Sequence, residues 1–293
     1  MGAVRAPWSS ASFLHYAGAL IVLGSVVALL GSLSNDYGEA AFVGWSALVL
    51  FVVSAMAGGY ERAGMRVVAG LFGFIALIVF IVFVGALEVW INLLGPNDEP
   101  IVGFHFGLLL LYAIAFVAGC VSIARFQFPL AVVVIAGAAW LFVVDLISNG
   151  GTWSAIVSIF VGLLFLLIGA GVDRVYGFWL HMAAGLAIGG AFLYMWHSAS
   201  WEWVLIGFVA LVFFLFASAL DSSSYAVLGV VGLFLMWSHF VEDWLDSSLA
   251  PPFFSDQQQV NVWGRALLYA FFGLVLVGVG FWFERRRQPP VAS

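Results

Sequence analysis

The sequence predicts an all-α fold, a polytopic integral membrane helical bundle of about ten transmembrane helices. Three observations carry that expectation. Hydrophobic residues make up 65% of the chain and charged residues 8%, where a soluble domain carries about a quarter charged, and the mean hydropathy is +1.15. Ten apolar runs approach the roughly 20 residues that cross a hydrocarbon core, and short polar breaks separate them. The arginines gather in alternate breaks, which is how a chain threading back and forth distributes them.

The runs follow in order. Residues 13–33 come after a segment whose one basic residue is Arg5; no small-residue cleavage pattern follows, so this reads as a retained first helix. Asn35-Asp36 precedes the run at 40–59 and Gly58-Gly59 closes it, before 66–94. The polar stretch from Gly95 to Pro100 leads into 101–124, and 128–148 follows directly. Ser148-Asn149-Gly150-Gly151 opens 152–171, after which come 176–196 and 202–220. Asp221-Ser222-Ser223-Ser224 precedes 225–245, and a loop containing Pro251-Pro252 precedes 261–283. Gly, Pro, Asn, Asp and Ser clusters are turn chemistry. The runs between them should be helices, because only a helix or a closed barrel satisfies its backbone in hydrocarbon.

The longest break, 247–260, and the tails, 1–12 and 284–293, are too short for a soluble domain. The expectation is one transmembrane domain over 1–293. Arg5, Arg62, Arg66, Arg125, Arg174 and Arg285-Arg286-Arg287 fall on one side of a ten-span thread, with Arg265 the exception. The basic side is the cytoplasmic side, so both termini are expected in the cytoplasm of a cell whose plasma membrane holds the protein.

Internal similarity is visible. Residues 160–173 align without gaps on 208–221, with Phe160/Phe208, Val161/Val209, Phe165/Phe213 and Asp173/Asp221 among the identities, and 44–56 follows the pattern faintly. This points to same-facing helical-hairpin repeats of about 48 residues. Gly185 and Gly189 form a Gly-xxx-Gly pair that predicts a close helix crossing. Tryptophans near span ends, such as Trp45, Trp90, Trp153 and Trp201, suit aromatic belts. Cys120, the single cysteine, reads as core filler and excludes a disulfide or a cysteine-based metal site within the chain.

Ionisable residues avoid the middle of every run and collect at the arginine-poor ends: Glu88, His105, Asp145, His239, Glu242, Asp243 and Arg265. His239, Glu242 and Asp243, at i, i+3 and i+4, leave one helix face. Charge inside a membrane is expensive and marks sites, so these seven are the binding-pocket candidates, with Arg265 as counter-ion. His105, His239 and Asp243 are the candidate metal ligands, since mixed His/carboxylate sets suit zinc or iron. No cofactor is predicted. The residues would allow a metal, or a haem between His105 and His239, but no His-Glu-xx-His, phosphate loop or nucleophile elbow is present. Every basic residue is arginine, which excludes a Schiff-base lysine, and no basic surface for nucleic acid exists.

A transporter or permease for an uncharged or amphipathic solute is the leading expectation, because a charge-free midplane does not suit ion-coupled sites. The alternatives are a non-catalytic subunit, assembly or lipid-organising protein, and a membrane-embedded enzyme with an extracytoplasmic His/carboxylate site. The expected partners are the lipid bilayer and either another membrane protein or further copies of the chain.

Overall fold

The computed structural model describes residues 38–95, 98–101, 104–148, 150–196, 199–220, 223–246, 264 and 267–278, with backbone alone at 218–220 and 242–246. Every regular element among them is a helix: α1 (Gly38–Arg62), α2 (Arg66–Trp90), α3 (Phe106–Phe126), α4 (Ala131–Ile147), α5 (Gly151–Gly171), α6 (Arg174–Met195), α7 (Ser200–Leu220) and α8 (Ser223–Asp246), followed by α9 (Leu267–Gly278). Seven are long and apolar enough to cross a membrane; α4 and α9 are shorter. The protein is therefore a multi-pass helical membrane protein. The first expected run, 13–33, lies outside the described residues.

Local chemistry explains the helix ends. Gly38, Gly150 and Gly151 take φ of +75°, +86° and +67°, a region open to glycine and strained for most other residues. At the end of α3, Gln127 sits left-handed and its N–H caps the carbonyl of Ile123. Pro129 follows, with no N–H to continue the helix. α4 has 17 residues, about 25 Å of helix against a core of about 30 Å. Asp145 lies in its last turn.

The chain forms two compact units, Met1–Met195 and Trp196–Ser293. In the first, α1 pairs with α2, α3 with α4 and α5 with α6, while α2 also packs on α3 and α4 on α5 and α6. Val53 and Ala57 of α1 meet Phe72, Ile75 and Val79 of α2, and Val144, Val161, Phe165 and Ala184 join α4, α5 and α6. One end of this unit carries the arginines of the turns. There Arg125 Nη2 meets Glu61 at 2.9 Å, and the Tyr176 hydroxyl donates to the Gln127 carbonyl. The opposite, arginine-poor end holds the end of α2, the start of α3, the end of α4 and the start of α5. In the second unit α7 pairs with α8, and Trp237 of α8 donates to the Leu268 carbonyl of α9 at 3.2 Å while stacking on Phe272.

The hairpins α5–α6 and α7–α8 share one packing register. A Cβ at Gly162 would meet the Ala184 carbonyl and Ile188; 48 positions on, Gly232 faces Ala210 and Gly207 faces Met236. Lipid-facing positions correspond as well, Leu167 at 74% exposure and Leu215 at 71%. α1–α2 fits the same scheme 108 positions before α5–α6. Trp45-Ser46-Ala47 matches Trp153-Ser154-Ala155 and Arg66-Val67 matches Arg174-Val175. The buried Ser46, Val53 and Ala57 correspond to the buried Ser154, Val161 and Phe165. A repeated hairpin that starts at the arginine-poor end accounts for both sets.

Two packing expectations are corrected. Gly189 has open space where a Cβ would stand, because α6 turns Ala183, Ala184, Ala187 and Ile188 inward; the close approach lies instead at Gly162, and at Gly169 against Gly177 and His181. Cys120 is exposed on α3 rather than filling the core, while Gly119 beside it closes on Ile135 of α4.

Candidate functional site

At the arginine-poor end of the first unit, the connection between α2 and α3 crosses the ends of α4 and α5 and is held there through one residue. The Ile101 N–H donates to Asp145 Oδ1 at 2.7 Å, and the Ile101 carbonyl accepts from Ser154 Oγ at 3.1 Å. Ser148 and Ser154 share a hydrogen bond of 2.6 Å, and Ser148 Oγ also lies 2.6 Å from the Val144 carbonyl. Two hydroxyl protons cannot serve all three contacts. With Ser154 donating to the Ile101 carbonyl, the Ser148 proton goes either to the Val144 carbonyl or to Ser154. Ile101 stands at φ +71°, a costly conformation for a β-branched residue. Its side chain packs against the α4–α5–α6 core, so burial and two hydrogen bonds offset the strain.

Beneath this strap the polar atoms are incompletely matched. Asp145 is 1% exposed and Tyr112 5%; the Tyr112 hydroxyl is the side-chain donor beside the Asp145 carboxylate, but neither it nor Asp145 Oδ2 makes a well-aligned hydrogen bond. Tyr112 and His105 both lie within electrostatic range of the Asp145 carboxyl group. His105, the residue that precedes the first turn of α3, directs Nε2 toward Asp98 Oδ1 at 3.5 Å; its Nδ1 is buried and unpartnered. Asp98 is steadied by the Gly95 N–H at 2.6 Å. Glu88, one turn from the end of α2, is 3% exposed, and both its carboxyl oxygens lack a partner. Burying a polar group without a hydrogen bond costs about 1–3 kcal/mol in proteins, and a charge considerably more. This end therefore concentrates unmet hydrogen-bonding capacity. On the far side of α4, Trp140 Nε1–H donates to Ser158 Oγ at 2.9 Å and Ser158 donates to the Ser154 carbonyl, tying α4 to α5.

Of the seven pocket candidates, the structure brings His105 and Asp145 together and buries Glu88 at the same end of its unit. His239 belongs to the second unit, where its ring stacks on Trp203 with centroids 4.3 Å apart and meets Phe240 edge-on. It packs as an aromatic residue between α7 and α8. The side chains of Glu242 and Asp243 and the whole of Arg265 lie outside the described residues, so the proposed counter-ion pairing falls there too. No three His, Cys, Asp or Glu side chains among the described residues gather as a ligand set; of the candidate metal ligands His105, His239 and Asp243, the Asp243 side chain lies outside the described residues.

Sequence reasoning missed Ile101, Tyr112, Ser148 and Ser154. Ser154 and Ser158, at i and i+4 in an otherwise apolar run, were a readable sign of a polar helix face; Ile101 carried none. No protein-family model, no curated protein and no solved structure matches the chain.

Proposed function

We propose that the protein is a transporter or permease for an uncharged or amphipathic solute, with a polar pocket at the arginine-poor end. With the arginine end in the cytoplasm, that pocket faces outward across the plasma membrane. One observation carries the reading. Glu88, His105, Tyr112 and Asp145 bring most of the buried polar atoms with unmet hydrogen-bonding capacity among the described residues to one end of the first unit, under a strap whose key residue is strained, while the middles of the spans hold no charge. A scaffold has no need of buried acceptors, which cost stability unless something answers them. A pocket needs a few such groups against an apolar wall.

The test is flux. Proteoliposomes containing the purified protein would be loaded and assayed with labelled glycerol, ethanolamine and octylamine alongside protein-free vesicles. Saturable, protein-dependent exchange of at least one solute supports transport. Rates equal to those of empty vesicles for all three would favour a non-catalytic subunit.

A further inference from the structure

The unmatched groups at the arginine-poor end are weighted toward acceptance and negative charge. Asp145 Oδ2 and both oxygens of Glu88 can only accept when ionised, and His105 Nδ1 accepts when Nε2 carries the ring proton toward Asp98. The chain does not supply the cation that would complete them from its described residues. It has no lysine at all, and the described arginines, Arg62, Arg66, Arg125 and Arg174, stand at the ends of α1, α2, α3 and α6 that form the opposite end of the unit. The hydrogen-bonding neighbours described for the Asp145 carboxylate are the neutral Ile101 amide and the neutral Tyr112 hydroxyl, and neither carries a positive charge. Buried carboxylates are ordinarily paired or metal-bound, and no ligand set for a metal gathers among the described residues.

We propose that Asp145, flanked by Tyr112 and His105, receives a primary ammonium group. An R–NH₃⁺ group offers three N–H donors and one positive charge. Asp145 Oδ2, the Tyr112 oxygen and His105 Nδ1 are three buried atoms with lone pairs left to accept even when the Tyr112 hydroxyl donates to Asp145, and Asp145 supplies the opposite charge. A quaternary ammonium lacks the donors, and a hydroxyl lacks the charge. The same chemistry has two sources, a free amine and the ethanolamine headgroup of a phospholipid. The inference narrows the transport reading to amphipathic solutes with a cationic ammonium head, for which ethanolamine is the head-group probe, and it rests on that reading for its role, although ammonium binding can be measured without any flux.

The experiment is thermal unfolding in nanodiscs, comparing the full chain with Asp145→Asn. Asparagine keeps an oxygen to accept the Ile101 N–H but turns the second oxygen into an NH₂ donor, removing both the charge and the acceptor offered to the ammonium group, so the variant is expected to fold with the strap in place. In phosphatidylcholine discs, ethanolamine should raise the melting temperature of the wild type in a saturable way and choline should not; Asp145→Asn should weaken the apparent affinity about tenfold or more, as expected for loss of a charge-assisted hydrogen bond. If the source is lipid, discs containing phosphatidylethanolamine should stabilise the wild type over phosphatidylcholine discs by an increment that Asp145→Asn removes, and soluble ethanolamine should then add nothing. Equal responses to ethanolamine and choline would overturn the proposal, as would a response unchanged in Asp145→Asn or the absence of any response in both arms. Solute exchange in proteoliposomes without an ammonium response would leave transport standing and remove this inference alone.

Discussion

Replacing Asp145 by leucine should release the strap between α2 and α3, and the size of the effect follows from the contacts at Ile101. The carboxylate accepts the Ile101 N–H at 2.7 Å; leucine is close in size but offers no acceptor. A buried amide left without a partner costs about 1–3 kcal/mol. Ile101 at φ +71° stores strain of a similar order, about 1–3 kcal/mol, which the strap recovers when it lifts. The strain favours opening in both proteins alike, so the change in local opening is set by the lost bond alone. Amide hydrogen exchange measured peptide by peptide across 98–105 should accelerate by about one to two decades, since each decade is about 1.4 kcal/mol. The melting temperature should fall by only a few degrees. Asp145→Asn, which retains an acceptor, should exchange close to the wild-type rate, and Ser154→Ala should fall between. Equal exchange in Asp145→Leu and Asp145→Asn would refute the reasoning, because it would mean that the 2.7 Å bond does not hold the strap.

Two further predictions concern packing and orientation. Gly162→Leu should destabilise the detergent-extracted protein by about 1–3 kcal/mol, since a Cβ there already stands 2.5 Å from Ile188 and 3.1 Å from the Ala184 carbonyl, whereas Gly189→Leu, with nothing within 4 Å, should leave its melting curve unchanged; equal losses would mean that the α5–α6 crossing lies elsewhere. Single cysteines at Asn35, Asn97, Asn149 and Asp256, in a Cys120→Ala background, should react with an impermeant thiol reagent added to intact cells, while cysteines at Arg62, Arg125 and Arg174 should stay unlabelled, and the reverse pattern would invert the proposed orientation.

The bundle was legible because hydropathy and arginine placement are one-dimensional signals: a helix in lipid must be apolar along its whole length, so its run shows in the sequence. The hairpin register was legible in part. Residues 160–173 and 208–221 announced it, but the match of Trp45-Ser46 with Trp153-Ser154 became informative only once Ser46 and Ser154 proved buried. Helix faces were harder to read. Gly185 and Gly189 have the spacing of a crossing, yet when a whole helix is apolar nothing in the pattern separates the lipid face from the protein face, and alanines can line the contact as well as glycines. The same ambiguity misplaced Cys120. Glu88, His105 and Asp145 were legible as one group because charge shows wherever it falls in an apolar run. Their partners were not, since a backbone amide such as that of Ile101 leaves no mark in a sequence. His239 shows the converse, where a residue chosen for its chemistry serves as a flat ring against Trp203.

The central claim is that the Asp145 cluster is a working site and not merely a fastening for the strap. Asp145→Asn separates the two roles because it keeps the hydrogen bond and removes the charge. The decisive measurement is the rate of protein-dependent ethanolamine exchange in proteoliposomes, compared between the wild type and Asp145→Asn at equal folded protein. The account predicts a rate at least about tenfold lower in the variant, with an unchanged melting temperature in the absence of solute. Full exchange activity in Asp145→Asn would contradict it and leave Asp145 as a structural acceptor for Ile101.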